Sequence, residues 1–379
     1  MQRLQNNDDD LAEIQAAYGA SCTKYEVLTE AWNRKGDTVI ISGHGCALKV
    51  KNDALVIFPG RTHKDQRQEN TVLYRGVHNV KQIILLSDKG LITLDAVRWA
   101  IEQNIPVIMV DGHGNLMQSL TPDNESNAAL RRLQYHAADS GLDIAIAREI
   151  IYRKTLSQIE MLKVSSEHKH KYIYKKRYRA NKVWDKSACD LLESGLGELS
   201  QAKELRFILM LEARLALIYW DTFIGMPIRW DENDREKVPP HWRSCIERIS
   251  SLSSNRTARH ANNPYHAVTN YAYAILQGQC KQALVSQGFD TACGFLHTDQ
   301  PHRDSLVFDL MECHRAAVDL LVLRLFATIT LSKGDFMSTT DGSVKFNPQF
   351  SRYIAATCRL AQDDIDTSAL WLKSLLLGS

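Results

Sequence analysis

The sequence lacks the long apolar segment that a membrane-spanning helix needs. Nowhere in its 379 residues do about 18 apolar residues follow one another. The opening residues, MQRLQNNDDDLAEIQ, also contain no apolar stretch of the kind that a secretory signal requires. These absences argue against a membrane or secreted protein, and we expect a cytoplasmic protein with no membrane partner.

Short motifs that mark other kinds of site are missing as well. The eight cysteines are widely separated, and no two have the C-x-x-C spacing of a zinc knuckle or redox centre, so we expect mostly buried thiols in a reducing compartment. Gly112 and Gly114 are followed by neither a helical pattern nor a Lys-Ser or Lys-Thr pair. They indicate a tight hairpin turn rather than a phosphate-binding loop.

The composition that remains is that of an ordinary globular protein, with 44% hydrophobic and 24% charged residues. Short strand-like runs such as CALKV and ALVIF, joined by the turn KND, alternate with turns as far as residue 122, and one short helix is predicted over 93–102. The polar stretch 121–127 marks a domain boundary, and the pattern after it is helical. The sequence therefore predicts an α+β protein with a small β-rich domain followed by a larger all-α domain.

The predicted boundaries divide the chain into four parts. These are an N-terminal extension of unknown role (1–37), the β-rich domain (38–122), the helical domain (123–335) and a C-terminal tail (336–379). Helices are predicted over 128–138, 142–164, 188–199, 203–223, 267–287 and 305–329. The polar segment 231–263 is predicted to interrupt them as a loop with at most one short helix.

One acidic residue stands out in the window FILMLEARLALI, which is apolar on every side except at Glu212 and Arg214. A helix that is hydrophobic all round is usually buried, so Glu212 is predicted to lie inside the protein. Desolvating an unpaired charge costs several kcal/mol, and Glu212 therefore needs a partner. The pattern leaves open a structural ion pair with an arginine, a metal ion, or a role as a catalytic acid.

A histidine and two acids lie close together near the last predicted helix. Asp309 and Glu312 are three residues apart and project from one face of its early turns. His297 precedes them by 12 and 15 residues, on the loop that leads into the helix. Mixed imidazole and carboxylate ligands suit magnesium or manganese. A hydrogen-bonded structural histidine beside a polar stripe, with a Glu312–Arg315 pair, fits the same pattern.

Positive charge is concentrated in one window, from Lys163 to Lys182. It contains eight Lys or Arg residues and one acid, a net charge of +7, whereas the rest of the chain carries −5. Tyrosines alternate with the basic residues, as nucleic-acid surfaces require for phosphate neutralisation and stacking. A solvated helix face is the competing interpretation. The candidate DNA-binding residues are Lys175, Lys176, Arg177 and Arg179.

Three segments closely resemble the core motifs of the CRISPR-associated integrase family known as Cas one. They are LMLEARLALIYW around Glu212, NPYHAVTNYAYAILQGQCKQAL around Asn270, and GFDTACGFLHTDQPHRDSLVFDLMECHR around His297, in the family's order. The runs SGHGCALKV, IILLSDKGLITLDAV and NIPVIMVDGHGNL resemble its β-rich domain. The resemblance covers residues 38–330, and only the lead-in and the segment 231–263 depart from it.

The resemblance implies a β-sandwich-like domain that mediates homodimerisation and a helical domain that binds metal and DNA. Its metal ligands fall on Glu212, His297 and Glu312, and Asp309 matches a further acid, beside the ligands or as an alternative ligand. The implied enzyme is a metal-dependent endonuclease and integrase using Mg²⁺ or Mn²⁺. It inserts short double-stranded DNA into a CRISPR repeat by 3′-hydroxyl attack on a phosphodiester, together with the small partner subunit Cas two.

Two other functions fit the same residues. One is a homologous transposase of a mobile element outside CRISPR loci. The other is a DNA-binding scaffold that keeps the fold without catalysis, which the presence of all three ligand types makes less favoured.

Overall fold

The computed structural model describes most of the chain from residue 37 onward. The described ranges are 37–63, 66–67, 70–87, 89–122, 127–167, 187–247, 261–297, 299–340 and 342–378. The predicted N-terminal extension, apart from residue 37, and the candidate DNA-binding residues Lys175, Lys176, Arg177 and Arg179 lie outside them. Strands come first and helices follow, which confirms the predicted mixture of α and β structure.

Two four-stranded sheets form the N-terminal part. The first has the order β1-β7-β9-β10, with β1 (Thr38–Ser42), β7 (Gln82–Leu86), β9 (Val107–Val110) and β10 (Leu116–Leu120). The second has the order β6-β3-β2-β8, with β2 (Cys46–Lys51), β3 (Ala54–Phe58), β6 (Thr71–Leu73) and β8 (Gly90–Ile92). A small pair, β4 (Arg61–His63) and β5 (Gln66–Arg67), and helix α1 (Leu94–Glu102) complete this part.

Both predicted hairpins are confirmed. The KND turn joins the antiparallel strands β2 and β3, and Asn52 and Asp53 adopt left-handed conformations with φ of 52° and 61°. Gly114 lies in the turn between β9 and β10 with φ of 79°, a conformation that favours glycine. The Gly112–Gly114 doublet is thus a turn, as its sequence context indicates.

The first sheet lies between two hydrophobic cores and contributes side chains to both. Side chains alternate across a strand, so neighbouring residues of β7 face opposite sides. Ile83 and Leu85 pack with Trp99 of α1 and the second sheet, whereas Ile84 and Leu86 pack with the helices. This explains why four consecutive apolar residues follow Gln82 in β7, because a strand covered on both faces has no polar side.

The helical part is built around one long, largely buried helix. The helices of this part are α2 (Ala128–Ser140), α3 (Leu142–Glu167), α4 (Ala188–Ser200), α5 (Leu205–Asp221), the central α6 (Pro264–Ser286), α7 (Ser305–Glu312) and α8 (Arg315–Thr328). Helix α6 contacts α7, α8 and the strands β9 and β10. Gly278 permits that approach, because a Cβ there would lie 2.5 Å from Cγ2 of Ile108. In the part of the chain that the structure covers, no helix is long and apolar enough to cross a membrane.

The helix predicted over 305–329 is two helices. Helix α7 ends at Glu312, and the backbone N–H groups of Cys313 and His314 cap it by donating to the carbonyls of Leu310 and Met311, respectively. His314 then takes φ of −114° before α8 begins at Arg315. The prediction of one helix was therefore wrong. Neither glycine nor proline marks the break, so the sequence pattern contains no signal for it. The break sets Glu312 at the end of a short helix.

The segment predicted as a C-terminal tail is part of the folded core. It contains β11 (Phe336–Ser338), β12 (Val344–Phe346), α9 (Pro348–Thr357) and α10 (Gln362–Leu377). Helix α10 packs against α6 and α2, and α9 packs against β1. Arg352 of α9 is 8% exposed and donates to the carbonyl of Ser42, at 2.9 Å. The expectation of a tail was therefore incorrect, because burial of the apolar faces of α9 and α10 holds this segment in place.

Candidate metal centre

Glu212 lies on α5. The sequence predicts that this helix is buried on all sides, but the structure shows that it is not. The helix packs against α3 and α4. Its opposite side is open, where Met210 and Leu217 are 62% and 72% exposed. Glu212 lies between these sides with 25% of its side chain exposed. The prediction of a fully buried glutamate was wrong because an apolar side chain is often exposed where only one side of a helix is covered.

The partner of Glu212 is a lysine that the sequence analysis did not single out. Lys154 of α3 is 7% exposed, and its Nζ is in close contact with Oε1 of Glu212. The same Nζ lies 2.7 Å from Oε2 of Glu312. A sequence signal for it exists, because helical spacing places Lys154 on the same face as the buried Ile150 and Met161. A lysine in such a stripe needs an acidic partner.

Glu312, at the end of α7, is 3% exposed and lies between two cations. The predicted pair with Arg315 is present, with Nη2 of Arg315 3.2 Å from Oε1 of Glu312. Burial alone raises the pKa of Glu312, but the charges of Arg315 and Lys154 outweigh it and lower this pKa to about 2. Both oxygens of Glu312 are thus engaged, Oε2 by the Lys154 ammonium and Oε1 by the Arg315 guanidinium.

His297 and Asp309 form a second, adjoining unit. Oδ1 of Asp309 lies 2.7 Å from Nδ1 of His297 and accepts the backbone N–H of the same residue at 3.0 Å. Oδ2 accepts the backbone N–H groups of Phe295 and Leu296 at 2.6 and 2.9 Å. A carboxylate only accepts hydrogen bonds, so Nδ1 of His297 carries the proton and the lone pair of the neutral ring is on Nε2.

The site also has a buried polar support behind Glu312. The guanidinium of Arg315 lies 5.2 Å from the ring centre of Tyr273, which comes from the motif around Asn270 on α6. The hydroxyls of Tyr273 and Tyr219 donate to Asp319 at 2.6 and 2.8 Å. Asp319 is 1% exposed, so it is no part of a solvated polar stripe. This network links α5, α6 and α8 beneath the two glutamates.

The donor set fits a divalent ion by its chemistry. Within the ranges that the structure describes, no three His, Cys, Asp or Glu side chains converge closely enough to hold an ion. The Lys154 ammonium instead supplies positive charge to Glu212 and Glu312. An ion would use the oxygens of Glu212 and Glu312 that Lys154 contacts, together with Nε2 of His297. Oxygen and imidazole donors of this kind suit Mg²⁺ or Mn²⁺.

Comparisons with known proteins give a consistent result. The sequence model of the family described as CRISPR associated protein Cas1 matches residues 39–357. CRISPR-associated protein Cas1 3 of Methanobrevibacter ruminantium is 30% identical over 265 residues, which cover 68% of this chain and 71% of that protein. CRISPR-associated endonuclease Cas1 1 of Archaeoglobus fulgidus is 26% identical over 294 residues, covering 76% of this chain and 78% of that protein.

Solved structures share the fold. A casposase bound to integration product has a TM-score of 0.72 and 24% sequence identity, covering 90% of this chain and 91% of that one. A Cas6-RT-Cas1–Cas2 complex has a TM-score of 0.61 and 16% identity, covering 96% of this chain and 36% of that one. At these identities the likeness concerns the fold alone.

Proposed function

This chain belongs to the CRISPR-associated Cas1 family, and we propose that it inserts short double-stranded DNA spacers into a CRISPR array in the cytoplasm. It is an endonuclease and integrase of CRISPR adaptation, as its family indicates. The proposal rests on one observation: Glu212 and Glu312, from two different helices, both contact the ammonium of Lys154. His297 contacts Asp309, which lies on the same helix as Glu312. Such a cluster is costly unless a positive charge offsets it.

The proposed ligands of Mg²⁺ or Mn²⁺ are Glu212, Glu312 and Nε2 of His297. These residues would hold the ion, which would supply stabilisation of the negative charge that develops on the phosphate oxygens during strand transfer. Asp309 fixes the tautomer and orientation of His297 through Nδ1, as carboxylates commonly do for ligating histidines. Arg315 keeps Glu312 ionised. In this scheme Asp309 positions a ligand, because both of its oxygens already accept hydrogen bonds.

The reaction needs no nucleophile from the protein. The 3′-hydroxyl of the incoming DNA attacks phosphorus, a new phosphodiester forms, and the bond to the displaced 3′-oxygen of the repeat breaks. The attacking hydroxyl loses its proton and the displaced oxygen gains one, so the number of phosphodiesters is unchanged. The residues of the site therefore bind and orient the DNA and stabilise charge.

The proposed macromolecular partners are DNA, a Cas2 subunit and a second copy of the chain. The fold is shared with a casposase bound to integration product and with a Cas6-RT-Cas1–Cas2 complex, which supports the first two. For the third, the described part of the predicted β-rich dimerisation domain exposes seven large apolar side chains by 42 to 84%: Val72, Tyr74, Val77, Leu91, Leu94, Ile101 and Met117. Burial in a homodimer would remove them from water. Light scattering measures the molar mass of the protein in solution, and the mass of a monomer would contradict the homodimer.

Strand transfer in vitro tests the proposed function. A short DNA duplex with free 3′-hydroxyl ends is incubated with the protein, Mn²⁺ and a supercoiled plasmid, and joined DNA is measured as relaxed or linear labelled plasmid. We expect joining that depends on Mn²⁺ or Mg²⁺ and stops when EDTA removes the ion. A duplex with blocked 3′ ends is the control. Joining that persists in EDTA would rule out the metal-dependent mechanism.

The basic window gives a separate prediction about DNA affinity. Replacing Lys175, Lys176 and Arg177 by alanine is expected to weaken binding and flatten its dependence on salt. Each lost phosphate contact should reduce the slope of log K against log salt by about 0.9. The measurement is DNA binding by fluorescence anisotropy over a salt series. An unchanged slope would favour the competing interpretation, in which this window is a solvated helix face.

A homologous transposase is the second candidate function. The fold does not separate the two, since the casposase and the Cas1 complex share it. The family match and the named relatives favour the CRISPR role. The genes beside this one decide the matter: a CRISPR array supports spacer acquisition, and terminal inverted repeats around a polymerase gene support the transposase.

A further inference from the structure

Lys154 occupies a position that a metal-binding site rarely gives to a lysine. It lies on α3, and its ammonium contacts one carboxylate from α5 and one from α7. Its side chain is 9% exposed, and the side chain of Glu312 is 4% exposed. An ammonium buried to this degree is stable only when acidic groups neutralise it. The contacts with Glu212 and Glu312 meet that condition.

The three groups form a cluster with a net charge of −1. The ammonium contacts one oxygen of each glutamate, which is also how a divalent ion bridges two carboxylates. A divalent ion and the ammonium in contact with the same two oxygens would repel each other strongly in this poorly hydrated place. Simultaneous occupation is therefore disfavoured.

We propose that Lys154 is a built-in counter-ion that holds the bridging position between Glu212 and Glu312 until a divalent ion displaces it. The inference rests on the proposed metal site at Glu212, His297 and Glu312. Without metal, the ammonium keeps two like charges together at the meeting point of three helices. When the ion binds, the flexible lysine stem moves its charge toward the partly exposed Glu212 side of the cluster. Lys154 thereby sets the affinity of the site for metal.

Binding of Mn²⁺ to the full-length chain without DNA tests this inference. Titration calorimetry would compare the wild type with Lys154→Met, which keeps the length of the stem and removes the charge. We expect the variant to bind Mn²⁺ at least about tenfold more tightly, because the repulsion between the ion and an adjacent unit charge exceeds the roughly 1.4 kcal/mol of a tenfold change. Thermal unfolding is the second readout, in which Lys154→Met should melt lower without metal and gain more from added Mn²⁺.

Lys163→Met is the matched control, because Lys163 lies on the same helix and pairs with Glu193 at 2.9 Å on the exposed surface. It loses the same charge and should bind Mn²⁺ within about twofold of the wild type, since exposed charges are screened over such distances. Equal tightening in both variants would mean a general effect of charge and would overturn the inference. Should Lys154→Met not fold without metal, Lys154→Gln replaces it.

The outcomes separate this inference from the proposed function. If wild-type binding of Mn²⁺ is lost in His297→Ala but Lys154→Met and Lys154→Gln bind no more tightly, the metal site stands and the counter-ion role is rejected. If the wild type has no Mn²⁺ binding that depends on His297, the proposed function itself fails. Both Lys154 variants could fold only in the presence of Mn²⁺. In that case, refolding at Mn²⁺ concentrations below the wild-type dissociation constant supports the inference. Failure to refold at ten times that dissociation constant overturns it.

Discussion

Replacement of His297 by alanine is expected to lower the rate of strand transfer by at least about 100-fold. A bound metal supplies several kcal/mol of charge stabilisation, and each 1.36 kcal/mol corresponds to a factor of ten in rate. The alanine removes the Nε2 ligand but leaves Asp309 with its three backbone N–H donors. The loop therefore keeps its shape, and the free energy of unfolding should fall by only about 1 kcal/mol.

The initial rate of joining at saturating Mn²⁺ measures this effect. His136→Ala is the matched control, because His136 is an exposed histidine of α2 that pairs with Asp139, with 74% of its side chain accessible. It should join DNA at the wild-type rate. Equal product from the wild type and His297→Ala would show that the metal assignment is wrong.

The strands were predictable because their signals are local. In QIILL four consecutive apolar residues follow Gln82, and the strand is buried on both faces. At KND the turn residues adopt the conformation that Asn and Asp tolerate. The candidate acids and histidine of the site were predicted for a different reason. Their roles came from the resemblance to a family, and the bare pattern also left a structural histidine and an ion pair open.

What the sequence could not supply depends on distant contacts. Lys154 is 58 residues from Glu212, and no periodicity connects the two. The break at His314 has no glycine or proline to announce it. Arg352, in the segment expected to be a tail, bonds Ser42 across 310 residues. In each case the deciding energy is tertiary, because a partner from another element satisfies a charge or covers an apolar face.

The roles of Asp309 and Glu312 are another matter of contacts rather than pattern. Both lie on one face of α7 and both are buried, at 0% and 3% exposure. Their surroundings differ: Asp309 accepts four hydrogen bonds from the loop 295–297, whereas Glu312 pairs with the side chains of Lys154 and Arg315. This difference favours Glu312 as the ligand and makes Asp309 the centre around which the histidine loop is folded.

Replacement of Asp309 by alanine is therefore expected to have the largest effect on stability. It leaves the backbone N–H groups of Phe295, Leu296 and His297 without their acceptor, and each buried unsatisfied donor costs about 1–3 kcal/mol. We expect the free energy of unfolding to fall by about 3–5 kcal/mol, in the range found when one partner of a buried charged pair is removed. Urea denaturation with and without Mn²⁺ measures the change.

Asp309→Asn separates a positioning role from a ligand role. The amide keeps one acceptor oxygen and the size of the side chain, so about half of the lost stability should return. Strand transfer should still fall by about 10–100-fold, the usual effect of altering a group that orients a metal ligand. Glu312→Gln is the matched ligand variant, and we expect it to lose Mn²⁺ binding while the histidine loop keeps its shape. If instead Asp309→Asn lost Mn²⁺ binding and Glu312→Gln retained it, the two roles would be exchanged, and the hydrogen bonds around Asp309 would have to rearrange when metal binds.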